Sequence, residues 1–339
     1  MKPSFIHSLV NDRYEDPSLF VRILREKRAF LFDIGKIDRL NPGDLQKITD
    51  VFVTHTHIDH FIGFDTLLRA LLRREIPLRV FGPSNITDCV EGKLRSYTWN
   101  LIKEYPLKIE VFAIDRDRMI LSSFHAENCF KRIDNGISEF NGIILKEPPF
   151  TVKAIQLDHQ VPCLAFSIEE EFHINVNKAL LKEMGFPVGP WLSDLKRAIR
   201  EDRPGDMELM VSGKRYILDE LKKIVNITNG QKISYVTDVS ISDENIRKII
   251  EFVRNSDTFY CEAYFMDKDI DRALKRFHLT AKITGRIARE AGVKNLLVMH
   301  FSPKYRALNE NPEQEAMEEF RQSTFLKQGR HSAHQTQMN

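Results

Sequence analysis

Residues 51–60 read VFVTHTHIDH, and no other stretch constrains the chain so tightly. Val51, Phe52 and Val53 are β-branched or aromatic, the make-up of a short buried strand. That strand delivers His55, His57, Asp59 and His60 within six positions. Side chains two apart in an extended segment project the same way, so His55 and His57 share a direction. An apolar, helix-like stretch follows from Phe61 to Leu72. Only 11 of the 339 residues are His, so a merely polar loop is a poor account of a cluster this dense. Three imidazoles and a carboxylate are costly to pack together unless a cation lies among them, and a transition metal is the natural occupant.

The rest of the chain reads as alternating strands and helices. Strand-like pieces SLFVRIL and AFLFDIG are joined by a charged turn at 25–28, and Leu78–Phe81 ends at Gly82-Pro83. Helical patterns are expected over 61–73, 84–105, 243–254 and 280–291, the last stopped by Gly292. Short β-type runs fill 107–168 and return at Ile233–Val236, Thr258–Cys261 and Leu296–Met299. Residues 169–230 are charged, carry MGFPVGP and REDRPGD, and lack a long apolar strand, so they read as a helical excursion. We expect one domain over 1–320, an inserted arm at about 172–230 and a polar, frayed tail over 321–339 that includes His331 and His334. A net charge of +2 neither demands nor excludes nucleic acid. Four scattered cysteines without a CxxC pair, no signal-type segment and no membrane-length apolar run point to a cytoplasmic protein with reduced thiols.

One pattern recurs along the chain. Asp33 follows AFLF, Asp158-His159 follow KAIQL, Asp238 follows SYVT and His300 follows NLLVM. Strand ends on one edge of a sheet converge, so distant segments can build one site. A lone His or Asp there is most often structural; several beside a dense His cluster shift the balance toward a shared centre.

THTHIDH, with Asp33 upstream and His159, Asp238 and His300 downstream, resembles the five-motif pattern of the metallo-β-lactamase superfamily. CEAYF and then ALKRFHLTAKITGRIAREAGVKNLLVMHFSPKY resemble more narrowly the C-terminal signature of ribonuclease Z, the tRNA 3′-processing endonuclease. HQVPCLAFSIEE and MGFPVGPWLSDLKRAI resemble that family's third motif and the start of its tRNA-gripping arm. The resemblance runs from about Arg28 to about Tyr305 and implies an αββα sandwich with an inserted helical arm. It implies that His55, His57 and His159 hold one metal, that Asp59, His60 and His300 hold the other, and that Asp238 bridges them. Asp33 would orient a ligand, and Glu262 and His278 would sit beside the scissile phosphate. It further implies two zinc ions per chain (Mn²⁺ or Fe²⁺ fit the same donors), an RNA substrate such as precursor tRNA, and a homodimer.

The chemistry is coherent for those residue types. Two metals ~3.5–4 Å apart clamp a phosphodiester, and a bound water drops to a pKa near ~7. Asp59 is placed to orient that water. His278, off the metals, suits protonation of a departing O3′, with Glu262 fixing its tautomer. The same cluster also serves other electrophiles, so a small phosphodiester such as a cyclic nucleotide, a thioester or a lactone is a second reading. A non-catalytic RNA-binding relative is a third, against which every ligand is present. The chain departs from the ribonuclease Z pattern at three places. FIHSLVNDRYEDPSLF replaces the loop that reads tRNA ends, Thr237 stands where a Gly usually precedes the bridging Asp, and the arm has one Gly-Pro, Gly189-Pro190. Trp191 and Phe186 could stack on nucleotides or pin the arm, and Lys196, Arg197 and Arg200 sit among Asp194, Glu201 and Asp202.

Overall fold

The computed structural model describes residues 5–24 and 26–322, so the expected tail falls outside it from residue 323 on, His331 and His334 included. The chain divides into two compact units, residues 1–169 with 232–339, and residues 170–231.

The larger unit is built on two stacked sheets. Eight strands between Phe5 and Glu139 form the first sheet in chain order, with parallel neighbours from Ala29–Phe32 through Ile48–Phe52 and Leu78–Pro83 to Lys108–Asp115. The second has six strands in the order Leu296–Met299, Thr258–Glu262, Lys232–Val236, Pro162–Glu170, Phe150–Asp158 and Ile143–Glu147. Period-2 alternation explains the layering. Phe30, Phe32 and Phe52 point to the space between the sheets, while Ala29, Leu31, Val51 and Val53 point to the outside. The inner face is an aromatic ladder: Phe32 stacks on Phe52 at 4.9 Å, Phe52 on Phe81 at 5.0 Å and Phe81 on Phe112 at 4.5 Å. Phe166 and Tyr235 of the second sheet meet Phe32 at 5.9 and 6.0 Å.

Helices Phe64–Leu71 and Ile86–Arg95 cover the outer face of the first sheet through Leu67, Leu71, Val90 and Leu94. Helices Asp243–Phe252, Ala281–Glu290 and Pro312–Arg321 cover the second through Ile249, Ile287, Ala288 and Ala316. The layers therefore run helix, sheet, sheet, helix. None of the helices among the described residues is long and apolar enough to cross a membrane.

Two helical expectations are trimmed. The stretch 61–73 is a short helix, Ile58–Phe61, then a separate one, Phe64–Leu71, broken at Ile62-Gly63. Gly63 packs on the Asp33 loop so closely that a Cβ there would lie 2.1 Å from the Gly35 carbonyl. The stretch 84–105 is helical only over Ile86–Arg95, because Trp99 Nε1 donates to the Leu94 carbonyl at 2.7 Å and closes the helix end.

The unit of residues 170–231 has helices Lys178–Glu183, Trp191–Arg200 and Leu218–Lys222. It also has four strands that the sequence reading did not anticipate: Phe172–Val176 pairs Val225–Asn229, and Glu208–Val211 pairs Lys214–Ile217. Its own core gathers Ile174, Leu181, Trp191, Leu195, Val211 and Leu221, apolar residues spread too thinly to read as strands. Trp191 is buried, donates its Nε1 to the Pro187 carbonyl at 2.9 Å and meets Phe186 edge-on at 5.7 Å. Both aromatics thus serve this unit's interior.

Two glycines separate the steric claim from helix propensity. Gly63→Ala must displace backbone and is expected to cost roughly 1–3 kcal/mol, as overpacking does. Gly92, inside helix Ile86–Arg95, has nothing within 4 Å of an added Cβ. Gly92→Ala is expected to be neutral or stabilising by roughly 0.5–1 kcal/mol. Denaturant midpoints of the two variants test this, and equal effects would contradict it.

Candidate metal centre

Most of the expected donors stand where a strand has just ended. Asp33 follows Ala29–Phe32, His55 lies just beyond Ile48–Phe52, His159 follows Phe150–Asp158, and Asp238 and His300 follow Lys232–Val236 and Leu296–Met299. His57 precedes the short helix Ile58–Phe61, whose first turn holds Asp59 and His60. Asp33, Asp238 and His300 take left-handed backbone, with φ of 56°, 52° and 54°. That conformation is strained for an L-residue, and strain of this kind collects at functional sites. Here it breaks the pleat at the sheet edge where these side chains meet.

The imidazole Nε2 atoms converge on carboxylate oxygens. Asp238 Oδ2 lies 3.5 Å from His55 Nε2, 3.5 Å from His60 Nε2 and 3.7 Å from His159 Nε2. Asp59 Oδ2 lies 3.6 Å from His60 Nε2 and 3.3 Å from His300 Nε2. Donors sharing one tetrahedral ion at ~2.0–2.2 Å stand about 3.3–3.6 Å apart, close to the 3.3–3.7 Å seen here. His57, at the exposed mouth, joins His55, His159 and Asp238 in one group able to hold an ion; Asp59, His60 and His300 form another. The buried Nε2 atoms of His55 and His60 have no hydrogen-bond partner. Burying an unsatisfied ring nitrogen is costly, and two on one centre call for an electrophile. The residues therefore fit a metal.

The opposite ring nitrogens are held. His60 Nδ1 donates to Asp33 Oδ2 at 2.8 Å, and His159 Nδ1 donates to the Phe277 carbonyl at 2.8 Å. His300 Nδ1 is 2.7 Å from Asp238 Oδ1. A donated Nδ1–H leaves Nε2 as the lone-pair nitrogen, the tautomer a metal requires. Asp33 is itself saturated: Thr54 N donates to it at 2.7 Å, Thr54 Oγ1 at 2.9 Å and the Tyr235 hydroxyl at 3.0 Å.

The electrostatics favour positive charge. Burial pushes the His300 imidazole down, but Asp238 and Asp59 outweigh it and lift the group to about 10. His60 rises in the same way through Asp238 and Asp33 against its burial. His55 is pushed down to about 2 by burial and by neighbouring His60, so it stays neutral. Asp238 is held well below the usual carboxylate range by His300 and His60 despite burial.

A second pair adjoins this cluster. Glu262, fully buried, accepts from Val239 N at 2.8 Å and Leu279 N at 3.3 Å through Oε1, and its Oε2 holds His278 Nδ1 at 2.8 Å. Glu262 and His278 are near enough to Asp238 and His300 to be counted as donors with them. Their facing atoms are used on each other, however, which sets the pair beside the cluster. Burial lowers the His278 imidazole, and the Glu262 carboxylate outweighs it and raises it.

Three residues here escaped the sequence reading. Thr54 and Tyr235 serve Asp33, and Tyr264 lies flat on His278 at 4.1 Å. Tyr235 carried a signal: it falls on the inward phase of its strand, and a buried phenol needs a partner. Thr54 and Tyr264 carried none beyond lying next to ligand-type residues.

No protein-family model matches the chain. It is 26% identical over 281 residues to ribonuclease Z of Deinococcus radiodurans, spanning 81% of this chain and 83% of that protein. Its fold is similar to human tRNase Z, short form, with a TM-score of 0.51 and 18% identity, covering 89% of this chain and 93% of the other. It is also similar to the metallo-β-lactamase fold protein YhfI of Bacillus subtilis, with a TM-score of 0.54 and 16% identity, covering 95% and 93%. The chain thus has the metallo-β-lactamase fold, and its likeness to ribonuclease Z extends over most of its length.

Asp33 gives a direct test of how the cluster is held. Asp33→Asn removes the charged acceptor of His60 Nδ1 and is expected to weaken metal binding roughly 10–100-fold. Competition against a chelating dye measures it. Unchanged affinity would show that His60 is oriented by something else.

Proposed function

We propose that the chain is a metal-dependent phosphodiesterase of the ribonuclease Z type that hydrolyses RNA, precursor tRNA with a 3′ trailer being the expected class. The observation that carries this is the pairing of two features where strand ends of both sheets meet. Seven donors converge with orphaned imidazole nitrogens, and Glu262–His278 stands beside them. His55, His57 and His159 would hold one ion, Asp59, His60 and His300 the other, with Asp238 between them. Imidazole-rich donors with few carboxylates suit zinc, two ions per chain. Two bound ions would supply an activated water at neutral pH and offset charge on the phosphate.

The chain's own groups do the rest. Asp59, half-buried with Oδ2 facing His60 and His300, would orient the attacking water. Glu262 fixes the His278 tautomer, and its charge favours the protonated ring. His278 Nε2, which has no protein partner among the described residues, is then free to deliver a proton to the departing O3′. Proton delivery of this kind is worth ~10²–10⁴ in rate.

One observation favours the second reading, a small phosphodiester. The unit of residues 170–231 carries ten Lys and Arg against ten Asp and Glu. Arg197–Asp194, Arg203–Glu201, Arg215–Glu208 and Lys222–Asp219 pair within it. A balanced, internally paired surface gives little of the phosphate attraction that drives RNA binding.

Zinc-loaded protein offered precursor tRNA and bis(p-nitrophenyl) phosphate side by side separates the two. Cleavage of the tRNA with higher kcat/KM supports the RNA reading. Turnover of the aryl ester alone would transfer the chain to small substrates. His278→Ala is expected to keep its metal and to lose about 10²–10⁴ in kcat on the RNA. Loss of metal in that variant would show His278 to be a ligand.

A further inference from the structure

We propose that Tyr264 is a positioning residue for His278, holding the imidazole in one orientation by face-to-face stacking. The Tyr264 ring lies 4.1 Å from the His278 ring with 10° between their planes, and its edge meets His300 at 5.0 Å and 69°. Glu262 holds His278 at Nδ1 only, and one hydrogen bond leaves the ring able to swing about that bond. The remaining neighbours of His278 are farther off and tilted: His159 at 5.2 Å and 59°, His300 at 5.8 Å and 70°, Phe265 at 6.1 Å and 63°. The flat contact with Tyr264 is therefore what fixes the plane in which Nε2 moves.

Tyr264 is itself firmly set. It stands two residues beyond Glu262, Ser302 N donates to its carbonyl at 3.0 Å, and its ring meets Phe265 at 5.0 Å over the small apolar cluster of Phe265, Ala273 and Tyr305. Its hydroxyl has no hydrogen-bond partner among the described residues. The aromatic body, not the hydroxyl, is the part the fold uses. Stacked rings prefer defined offsets, and a donor misplaced by ~1 Å can cost ~10²-fold in rate.

The proposal rests on the reading of His278 as the proton donor, and substrate choice separates the two. An RNA phosphodiester releases an alkoxide that needs a proton, whereas bis(p-nitrophenyl) phosphate releases a phenolate that does not. Tyr264→Phe should stay within about twofold of the unaltered protein on both substrates. Tyr264→Leu should lose about 10–100-fold in kcat on RNA, with KM and metal content unchanged and a smaller loss on the aryl ester. Combining Tyr264→Leu with His278→Ala should be no worse than His278→Ala alone, since the two act through one ring. Independently of turnover, crystals of the Tyr264→Leu protein should show His278 in more than one ring orientation.

Contrary results are distinct. Tyr264→Leu with full kcat on RNA and an unmoved His278 overturns the proposal. Tyr264→Phe as impaired as Tyr264→Leu assigns the effect to the hydroxyl and also overturns it. Full activity on RNA in His278→Ala overturns the proton-donor reading, while the ring-orientation result still decides what Tyr264 does.

Discussion

The carboxylate of Asp33 is the tie on which the centre depends. It is fully buried and accepts from the Thr54 amide and hydroxyl, from His60 Nδ1 and from the Tyr235 hydroxyl. Those donors come from the loop after Ile48–Phe52, the helix that holds Asp59, and an inner strand of the second sheet, Lys232–Val236. A buried carboxylate is tolerable only when its oxygens are fully satisfied, so each donor is fixed by the demand of the others. The result aims His60 Nε2 at Asp238 and ties both sheets to one histidine.

Close packing and local strain complete the arrangement. Gly35 and Gly63 let the Asp33 loop and the His-rich loop touch backbone to backbone. Left-handed residues recur at Asp33, Asp238 and His300, and again beside His159 and His278, at Gln160 and Phe277. Each turns the chain where a donor or its neighbour must leave the regular element. The Phe277 turn also directs its carbonyl at His159 Nδ1, so one strained residue serves both the donor cluster and the position of His278. The aromatic ladder between the sheets supplies the rigid floor beneath this edge.

Much of this was legible in the chain. VFV before HTHIDH announced a strand leading into donor-type side chains, and Asp33, His159, Asp238 and His300 stood out by following apolar runs; the structure brings these side chains together. Legibility failed where long-range geometry decides the outcome. The break at Ile62-Gly63 depends on the Gly35 carbonyl, and the helix end near Arg95 depends on the Trp99 indole. The strands of residues 170–231 are too short and too mixed for a period-2 pattern to stand out. Tyr264 could be named in CEAYF, but its place over His278 comes from the intervening helix Ile270–Arg276 and the turn at Phe277. The family-like motifs pointed to the edge where these donor side chains meet; residues 170–231 carry as many acidic as basic residues.

The proposed function requires that this cluster hold two ions, with Asp238 between them. Elemental analysis of gently purified protein, repeated on Asp238→Ala, tests it most directly. The account predicts close to two equivalents of divalent metal per chain and a marked loss in the variant. A firm limit of one equivalent that Asp238→Ala leaves unchanged would contradict it.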